Sequence, residues 1–222
     1  MYVLIGGAGL IGLSLAQKLV ELGHTVAVVD LDPKACYYAR EQVGVMTFEG
    51  SAVKTEVLLE AGIRKADAVA AVLRNDALNL ALVALAKNYG VPQIISRMRH
   101  RDFAEPLFFT GATHIISTVD LAVSKMVNAI EYPQVESMMH FEQGIEAIVL
   151  TIPKNFYVAG RSVAEIAQDP RFPAGSLIIG YQTHPHEDLI IPNGNTILSS
   201  DSTVLIVTKI GLVRQVINFI KG

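Results

Sequence analysis

The 222-residue sequence contains a single cysteine and no tryptophan. The one cysteine, Cys36, excludes an intrachain disulfide and a paired CxxC motif. Chains without disulfides are typical of reducing compartments, so the sequence predicts a cytoplasmic protein. No histidine partner for Cys36 is evident, and we expect it to pack as a small apolar residue rather than to act as a nucleophile.

Long apolar runs are also absent, although 51% of the residues are hydrophobic. A membrane-spanning helix needs about 20 consecutive apolar residues, and no such stretch occurs. Residues 1–17 carry no charge, but they contain several glycines and no basic segment ahead of the apolar run. They therefore do not resemble a signal peptide. The surplus of apolar residues is consistent with subunit interfaces.

The sequence has no excess of positive charge, because its formal net charge is −3. Arg97, Arg99 and Arg101 form a local basic cluster without the aromatic residues that single-strand binding surfaces use. Arg99 and Arg101 are expected to be solvated. A helix-turn-helix motif is not found either. The sequence therefore predicts no nucleic-acid partner.

The first part of the chain alternates short apolar runs with helical segments. Such strands, apolar on both faces and separated by helices, are typical of a parallel sheet covered on each side. The predicted fold class is α/β, with a Rossmann-like doubly wound parallel sheet. The predicted strands cover residues 2–5, 25–29, 45–48, 68–73, 93–96 and 114–117.

The pattern changes after Pro133, where short strand-like segments are separated by PNGN and SSDS turns. We expect a Rossmann-like nucleotide-binding domain at 1–134 and a small α+β C-terminal domain at 135–222, joined by a helix near 120–130. The predicted strands of the second domain are 145–152, 176–181, 189–192 and 203–208, with helices near 162–168 and 212–220.

A G-x-G-x-x-G motif, Gly7-Ala8-Gly9-Leu10-Ile11-Gly12, lies between the first strand and the first helix. In such a motif the glycines allow a tight turn, close approach of a pyrophosphate and close helix packing. Asp30 ends the second strand, where a carboxylate can accept hydrogen bonds from ribose hydroxyls. Asp32 adds negative charge that disfavours a 2′-phosphate. The alternative is an ordinary tight turn without a ligand.

The sequence shows no clear set of catalytic residues. The sequence has no G-x-x-x-x-G-K-[ST] loop for nucleotide hydrolysis and no Y-x-x-x-K pair for hydride-transfer chemistry. We therefore expect a binding protein rather than an enzyme. An NAD-dependent oxidoreductase with its substrate site in the second domain is the alternative.

An ordered set of segments runs along the chain. In the first domain they are GAGLIG (7–12), VVD (28–30), EGSA (49–52), 58–73, NDALNL (75–80), Arg97 and GATHIIS (111–117); in the second they are 158–167, SLIIGY (176–181), 189–198 and 202–207. The first set resembles the RCK or KTN domain, the cytoplasmic nucleotide-binding module of potassium channels and Trk/Ktr-type potassium transporters. The second set resembles the C-terminal companion domain of that family.

The resemblance implies a regulatory subunit that binds ATP, ADP, NAD or NADH and transmits the binding to a membrane-embedded potassium transporter or channel subunit. It implies a homodimer that assembles into an octameric ring at the inner face of the membrane. A methionine directly before the first strand favours a free-standing subunit. A C-terminal fragment of a potassium channel is the alternative.

The resemblance also implies a set of cofactor-binding residues. The glycines would hold the phosphates, Asp30 the ribose, and Gly50, Ser51 and Ala52 the adenine. Arg97 reaches the phosphates or, alternatively, pairs with a nearby carboxylate. The full predicted set is Gly7, Ala8, Gly9, Leu10, Ile11, Gly12, Asp30, Leu31, Asp32, Gly50, Ser51, Ala52, Leu73, Arg74, Asn75 and Arg97.

No metal site is predicted. The family often has Pro-Glu after the sixth strand, whereas this chain has Thr118-Val119 and then Asp120. His184, His186 and Glu187 are better explained by a solvated hairpin loop than by metal ligation. Gln182 and Thr183 stand where the family often has an arginine, so recognition of cyclic di-AMP is not expected.

Overall fold

The structure is a computed structural model that describes residues 1–141, 143–184 and 187–222. The chain forms two compact units, Met1–Leu121 and Ala122–Gly222, and the division falls within one helix. Each unit has its own hydrophobic core.

The first unit contains a six-stranded sheet in the order β3-β2-β1-β4-β5-β6, and every pair of neighbours is parallel. The predicted doubly wound parallel sheet is therefore confirmed. The strands are β1 (Tyr2–Gly6), β2 (Thr25–Asp30), β3 (Met46–Glu49), β4 (Ala68–Ala71), β5 (Gln93–Met98) and β6 (His114–Ser117).

The central strands are buried on both faces, as their continuous apolar sequence predicts. Leu4 belongs to the core on one face of the sheet, and Ile5 belongs to the core on the other. Both side chains are fully buried, and each such burial stabilises the fold by about 1.5–3 kcal/mol. Consecutive residues of a strand point to opposite faces, so one apolar run serves two layers.

Helices cover the sheet. The helices are α1 (Leu10–Glu21), α2 (Pro33–Tyr38), α3 (Thr55–Glu60), α4 (Asp76–Asn88), α5 (Ala104–Thr110) and α6 (Thr118–Glu131). The predicted helix at 33–42 is present, but its second half, Ala39–Val43, is a π-helix. Asp32 caps α2 through a hydrogen bond from Lys34 N, and Asn75 caps α4 by accepting from Ala77 N and Leu78 N.

The second unit contains a four-stranded antiparallel sheet in the order β7-β8-β10-β9. Its core is formed by apolar residues of the sheet and of its last two helices, including Ile148 and Val216. The strands are β7 (Val135–Phe141), β8 (Ile145–Thr151), β9 (Leu177–Gln182) and β10 (Thr203–Lys209), and the helices are α7 (Val163–Gln168) and α8 (Val213–Lys221).

Two details of the second unit differ from the prediction. The strand expected at 189–192 is wrong, because only an isolated bridge between Ile190 and Tyr181 forms there. Pro192 lacks the amide hydrogen that a ladder requires, and a turn follows it. Strand β7 was not predicted, because much of this edge strand is exposed and shows no clear apolar alternation.

Helix α6 presents large apolar side chains to solvent. Leu121, Met126 and Ile130 are 60%, 65% and 78% exposed, and no residue of α6 is buried. Helix α6 is 14 residues long. Across the described residues, no helix combines the length and apolar character needed to span a bilayer.

Candidate functional site

The candidate site lies where the strand order reverses, between β1 and β4. Strand β2 pairs with one side of β1 and β4 pairs with the other, so the loops after β1 and β4 diverge and leave a crevice. A cavity of about 610 Å³ occupies this crevice. Its lining residues are Gly7, Ala8, Gly9, Leu10, Ile11, Asp30, Asp32, Ala35, Val72, Leu73, Arg74, Arg97 and Arg99.

The predicted glycine loop connects β1 to α1, and its three glycines have different surroundings. A Cβ on Gly12 would lie 1.9 Å from the carbonyl oxygen of Gly7, so the loop can fold back on α1 only with glycine at this position. Gly7 has a φ of 112°, which L side chains rarely adopt. A Cβ on Gly9 would meet no heavy atom within 4 Å. Gly9 is therefore not needed for packing, and it lines the cavity.

Asp30 joins the end of β2 to the glycine loop. Its Oδ2 accepts a hydrogen bond from Ala8 N at 2.6 Å, and its Oδ1 accepts one from Asp32 N at 2.9 Å. These bonds hold the carboxylate at the cavity and fix the loop backbone. Each oxygen retains a second lone pair that can accept a ribose hydroxyl.

Asp32 lines the cavity and also caps α2. Together, Asp30 and Asp32 place two carboxylates at the end of the cavity beside β2. Leu31, between them, is 70% exposed and does not line the cavity.

Three arginines line the cavity on the β4 and β5 side. Arg97 Nε donates to Thr118 Oγ1 at 3.4 Å, and Arg99 Nη1 donates to the carbonyl oxygen of Arg74 at 3.4 Å. Among the ion pairs of the described residues, none involves these three side chains. Arg97 thus contacts a hydroxyl rather than the carboxylate that the alternative interpretation required.

Arg99 was not among the predicted site residues. It is exposed, as expected, but it lies at the cavity instead of on an unrelated surface. Its position follows from the parallel pairing of β4 with β5, which brings the residues after both strands to one edge of the sheet. The feature of the sequence that could have identified Arg99 is its place two residues beyond Arg97.

Six predicted residues lie outside this cavity: Gly12 and Leu31, described above, and Gly50, Ser51, Ala52 and Asn75. Gly50, Ser51 and Ala52 follow β3, and Gly50 N donates to the carbonyl oxygen of Asp30 at 2.8 Å. Asn75 caps α4 and lines a smaller neighbouring cavity of about 390 Å³. Their roles in binding adenine or phosphate remain predictions.

Cys36 is fully buried below the end of β2. Its Sγ lies 3.6 Å from the carbonyl oxygen of Asp30. Burial raises the pKa of the Cys36 thiol, so the reactive thiolate is disfavoured at neutral pH. The thiol acts as a small packed side chain behind the site.

Asp120, the displaced carboxylate near β6, forms an ion pair with Arg101 at 3.0 Å. The hydrogen bonds from Arg101 and then Ser117 lower the pKa of Asp120. The described residues contain no group of three or more His, Cys, Asp or Glu side chains that could hold a metal ion. Within the expected loop at 184–187, residues 185 and 186 lie outside the described part.

The first unit is therefore a doubly wound α/β domain with a glycine-rich loop at its switch point, an arrangement suited to binding a nucleotide at a helix N-terminus. Residues 3–118 match the model of the TrkA-N domain, and residues 148–221 match that of the TrkA-C domain. The chain belongs to the TrkA-N family and carries a TrkA-C domain in its second unit. The predicted family is confirmed.

Similar proteins agree with this assignment. The chain is 27% identical over 215 residues to the Trk system potassium uptake protein TrkA homolog of Methanothermobacter thermautotrophicus, covering 97% of each chain. It resembles the structure of the GsuK channel bound to NAD, with a TM-score of 0.66 and 20% identity. That match covers 100% of this chain and 39% of the other.

A second GsuK structure, bound to ADP, matches with a TM-score of 0.53 and 20% identity. The match covers 60% of this chain and 34% of that one, so this chain spans well under half of the channel protein. At these identities the likeness establishes the shared fold.

Proposed function

We propose that the protein is a nucleotide-sensing regulatory subunit of a potassium transport system. The observation that carries the proposal is the cavity at the switch point, with the glycine loop on one side and three arginines on the other. Similar proteins are named for Trk potassium uptake, and two solved neighbours hold NAD and ADP.

The proposed ligand is an adenine nucleotide without a 2′-phosphate, either ATP or ADP or NAD or NADH. The phosphates would lie between the N-terminus of α1 and the arginines, where both the helix dipole and the guanidinium groups favour negative charge. The ribose would lie at Asp30. A 2′-phosphate would approach Asp30 and Asp32, whose charges repel it.

The protein is proposed to bind this nucleotide without consuming it. The residues that line the cavity include no His, Cys, Tyr, Lys, Ser or Thr side chain among those described. A cofactor-dependent reaction needs a group that transfers protons beside the reacting atoms. The carboxylates Asp30 and Asp32 are held by backbone amides or by helix capping.

Regulation would follow from unequal binding to two conformations of an assembly. A ligand shifts such an equilibrium only by its differential affinity, typically about 1–3 kcal/mol per site. We propose a cytoplasmic homodimer that assembles into an octameric ring beneath a membrane-embedded potassium transporter or channel subunit. Residues 1–134 would bind the nucleotide and 135–222 would regulate. The exposed apolar side chains of α6 support self-association.

A thermal-shift panel tests the proposal. ATP, ADP, NAD and NADH are each added to the purified protein, with NADP as the 2′-phosphate control. A ligand at about one hundred times its Kd stabilises the folded state by about 2.7 kcal/mol. We expect at least one of the four to raise the melting temperature and NADP to act more weakly. If none of the four does so, the proposal is wrong.

Two further measurements extend the panel. The mass in solution should correspond to an oligomer, and a monomer at all concentrations would contradict the proposed assembly. Incubation with NADH and small carbonyl compounds should give no turnover. Sustained oxidation that Asp30→Ala abolishes would favour the oxidoreductase instead.

A further inference from the structure

Two polar side chains at the start of α4 are buried. Asp76 is 5% exposed and Asn79 is 0% exposed. A buried carboxylate is costly unless it is paired or hydrogen-bonded. The ion pairs of the described residues do not include Asp76, so its partners must be sought in the backbone.

Asp76 binds the loop that follows β5. Both of its oxygens accept from Arg99 N at 3.1 Å, and Oδ2 also accepts from His100 N at 2.9 Å. Hydrogen bonds to an ionised acceptor are stronger than neutral ones. The carboxylate also lies at the N-terminus of α4, where the helix dipole stabilises it. The backbone at residues 99 and 100 is therefore held firmly against α4.

Asn79, one turn further along α4, binds the loop after β4 and the end of β5. Its Oδ1 accepts from Leu73 N at 2.9 Å, and its Nδ2 donates to the carbonyl oxygens of Leu73 and Arg97, each at 3.1 Å. One side chain thus joins the end of β4 to the end of β5. Replacing it would leave buried backbone groups without partners, at a cost of about 1–3 kcal/mol.

The backbone that Asp76 and Asn79 hold also carries the three arginines of the cavity. Arg74 follows Leu73 directly, and Arg97 and Arg99 are themselves held through their main-chain groups. The Arg99 side chain in turn contacts the carbonyl oxygen of Arg74. Neither Asp76 nor Asn79 lines the cavity of about 610 Å³. These residues can act on a ligand there through the backbone that carries the arginines.

We propose that Asp76 and Asn79 are positioning residues that direct Arg74, Arg97 and Arg99 toward the phosphates of the bound nucleotide. The inference rests on the proposed nucleotide-binding function. The glycine loop has its own support, because Asp30 accepts a hydrogen bond from Ala8 N. The arginine side needs a comparable support, because long side chains bind a phosphate well only when their backbone is fixed.

A double-mutant cycle with ADP as the probe tests this inference. ADP is titrated into the full-length protein and into Asp76→Asn, Arg99→Gln and the double variant, at low and at high salt. An asparagine in place of Asp76 keeps one acceptor but presents an NH₂ group to the amides of residues 99 and 100. We expect Asp76→Asn to weaken ADP binding about tenfold, the value of one lost charge-assisted contact.

The cycle and the salt dependence separate positioning from general stability. If Asp76 acts through Arg99, the double variant should bind ADP about as weakly as Arg99→Gln alone, because interacting residues are not additive. Asp76→Asn should also flatten the salt dependence, since screening acts on the arginine–phosphate attraction. Additive losses, or a tenfold loss with the salt dependence of the unchanged protein, would overturn the inference.

Asp67→Asn is the matched control. The Asp67 carboxylate also accepts a backbone amide hydrogen bond, from Tyr2 N at 2.6 Å, but at the opposite end of the sheet. It should leave ADP binding unchanged. If Asp76→Asn does not fold by circular dichroism, Asn79→Leu paired with Arg97→Gln provides a second cycle with the same expected non-additivity.

The failure of this inference is distinguishable from failure of the proposed function. If the unchanged protein binds no adenine nucleotide, the function itself is wrong. If it binds ADP and Arg99→Gln weakens that binding, but Asp76→Asn and Asn79→Leu do not, the function stands and the positioning role is rejected.

Discussion

The two units of the chain form cavities in different ways. In the first unit the cavity collects residues from four separate stretches, 7–11, 30–35, 72–74 and 97–99. In the second unit a cavity of about 390 Å³ is lined by residues from one stretch, 163–178, most of them apolar. The first cavity is lined by charged groups of both signs, whereas the second is lined mainly by α7 and the loop that follows it.

Sheet topology explains the difference. Parallel strands all end at the same edge, so each βα loop of the first unit delivers its residues to the same place. Antiparallel strands end alternately at the two edges, and loop residues are dispersed. A parallel sheet therefore assembles a charged site from distant segments, whereas the antiparallel sheet of the second unit supports a core and local hollows.

The largest expected effect is on the stability of the second unit. Ile148 is fully buried in the core of the second unit, so Ile148→Ala should cost about 2–5 kcal/mol in the free energy of unfolding. Because none of the described residues of this unit lines the first cavity, the Kd for nucleotide of the folded variant should not change. Denaturant unfolding and a nucleotide titration check this, and a matching loss of affinity would contradict the comparison.

Gly12→Ala should have the next largest effect, now within the first unit. A Cβ at 1.9 Å from the carbonyl oxygen of Gly7 must displace the loop backbone, which should cost about 3 kcal/mol. Nucleotide binding should be lost with it, because the displaced loop carries the amides of the site. A variant with unchanged melting temperature and affinity would show that the loop tolerates the displacement.

Gly9→Ala, three residues earlier in the same loop, should leave stability nearly unchanged. Its Cβ would meet no atom of the protein, and its φ of −73° suits alanine. The melting temperature should therefore change by an amount equivalent to at most about 1 kcal/mol. Thermal unfolding beside Gly12→Ala provides the comparison, and equal destabilisation by the two variants would reject the structure of the loop.

The smallest expected effect is on the pH dependence of the stability of the second unit. Hydrogen bonds from the Arg171 guanidinium and then the Arg171 amide, with a further one from the Tyr157 hydroxyl, hold the pKa of Asp169 well below its usual range. A lowered pKa in the folded state gives stability above the unfolded-state pKa of about 4, and this stability is lost as pH falls.

Asp169→Asn should therefore reduce the acid sensitivity of the melting temperature below about pH 4. The exposed Asp188→Asn serves as the control and should leave the profile unchanged. Identical acid profiles for the unchanged protein and Asp169→Asn would contradict the assignment.

The sequence was sufficient to predict the parallel sheet and the glycine loop, because both depend on local patterns. Apolar runs such as Val26–Val29 and glycines at fixed spacing are visible without the fold. The second sheet was harder to predict. Strand β7 is an exposed edge without apolar alternation, and the segment at 189–192 is apolar but ends at a proline.

The arginine side of the site could be predicted only in part. Arg97 was implied by the resemblance to the RCK domain, but Arg99 lies at the cavity because the parallel pairing of β4 with β5 brings the residues after both strands to one edge of the sheet. Asp76 and Asn79 belong to the segment NDALNL (75–80) that resembles the family, but the sequence assigns no contact to either of them. Their role depends on which loop packs against α4, and that is a property of the tertiary structure.

Calorimetric titration of ADP into the unchanged protein and into Gly9→Ala tests the central claim most directly. We expect ADP to bind the unchanged protein at one site per chain. Because the added methyl group would occupy the space proposed for the phosphates, Gly9→Ala should bind ADP about tenfold or more weakly while it melts at nearly the same temperature. Absence of ADP binding to the unchanged protein, or equal affinity for both, would contradict the account.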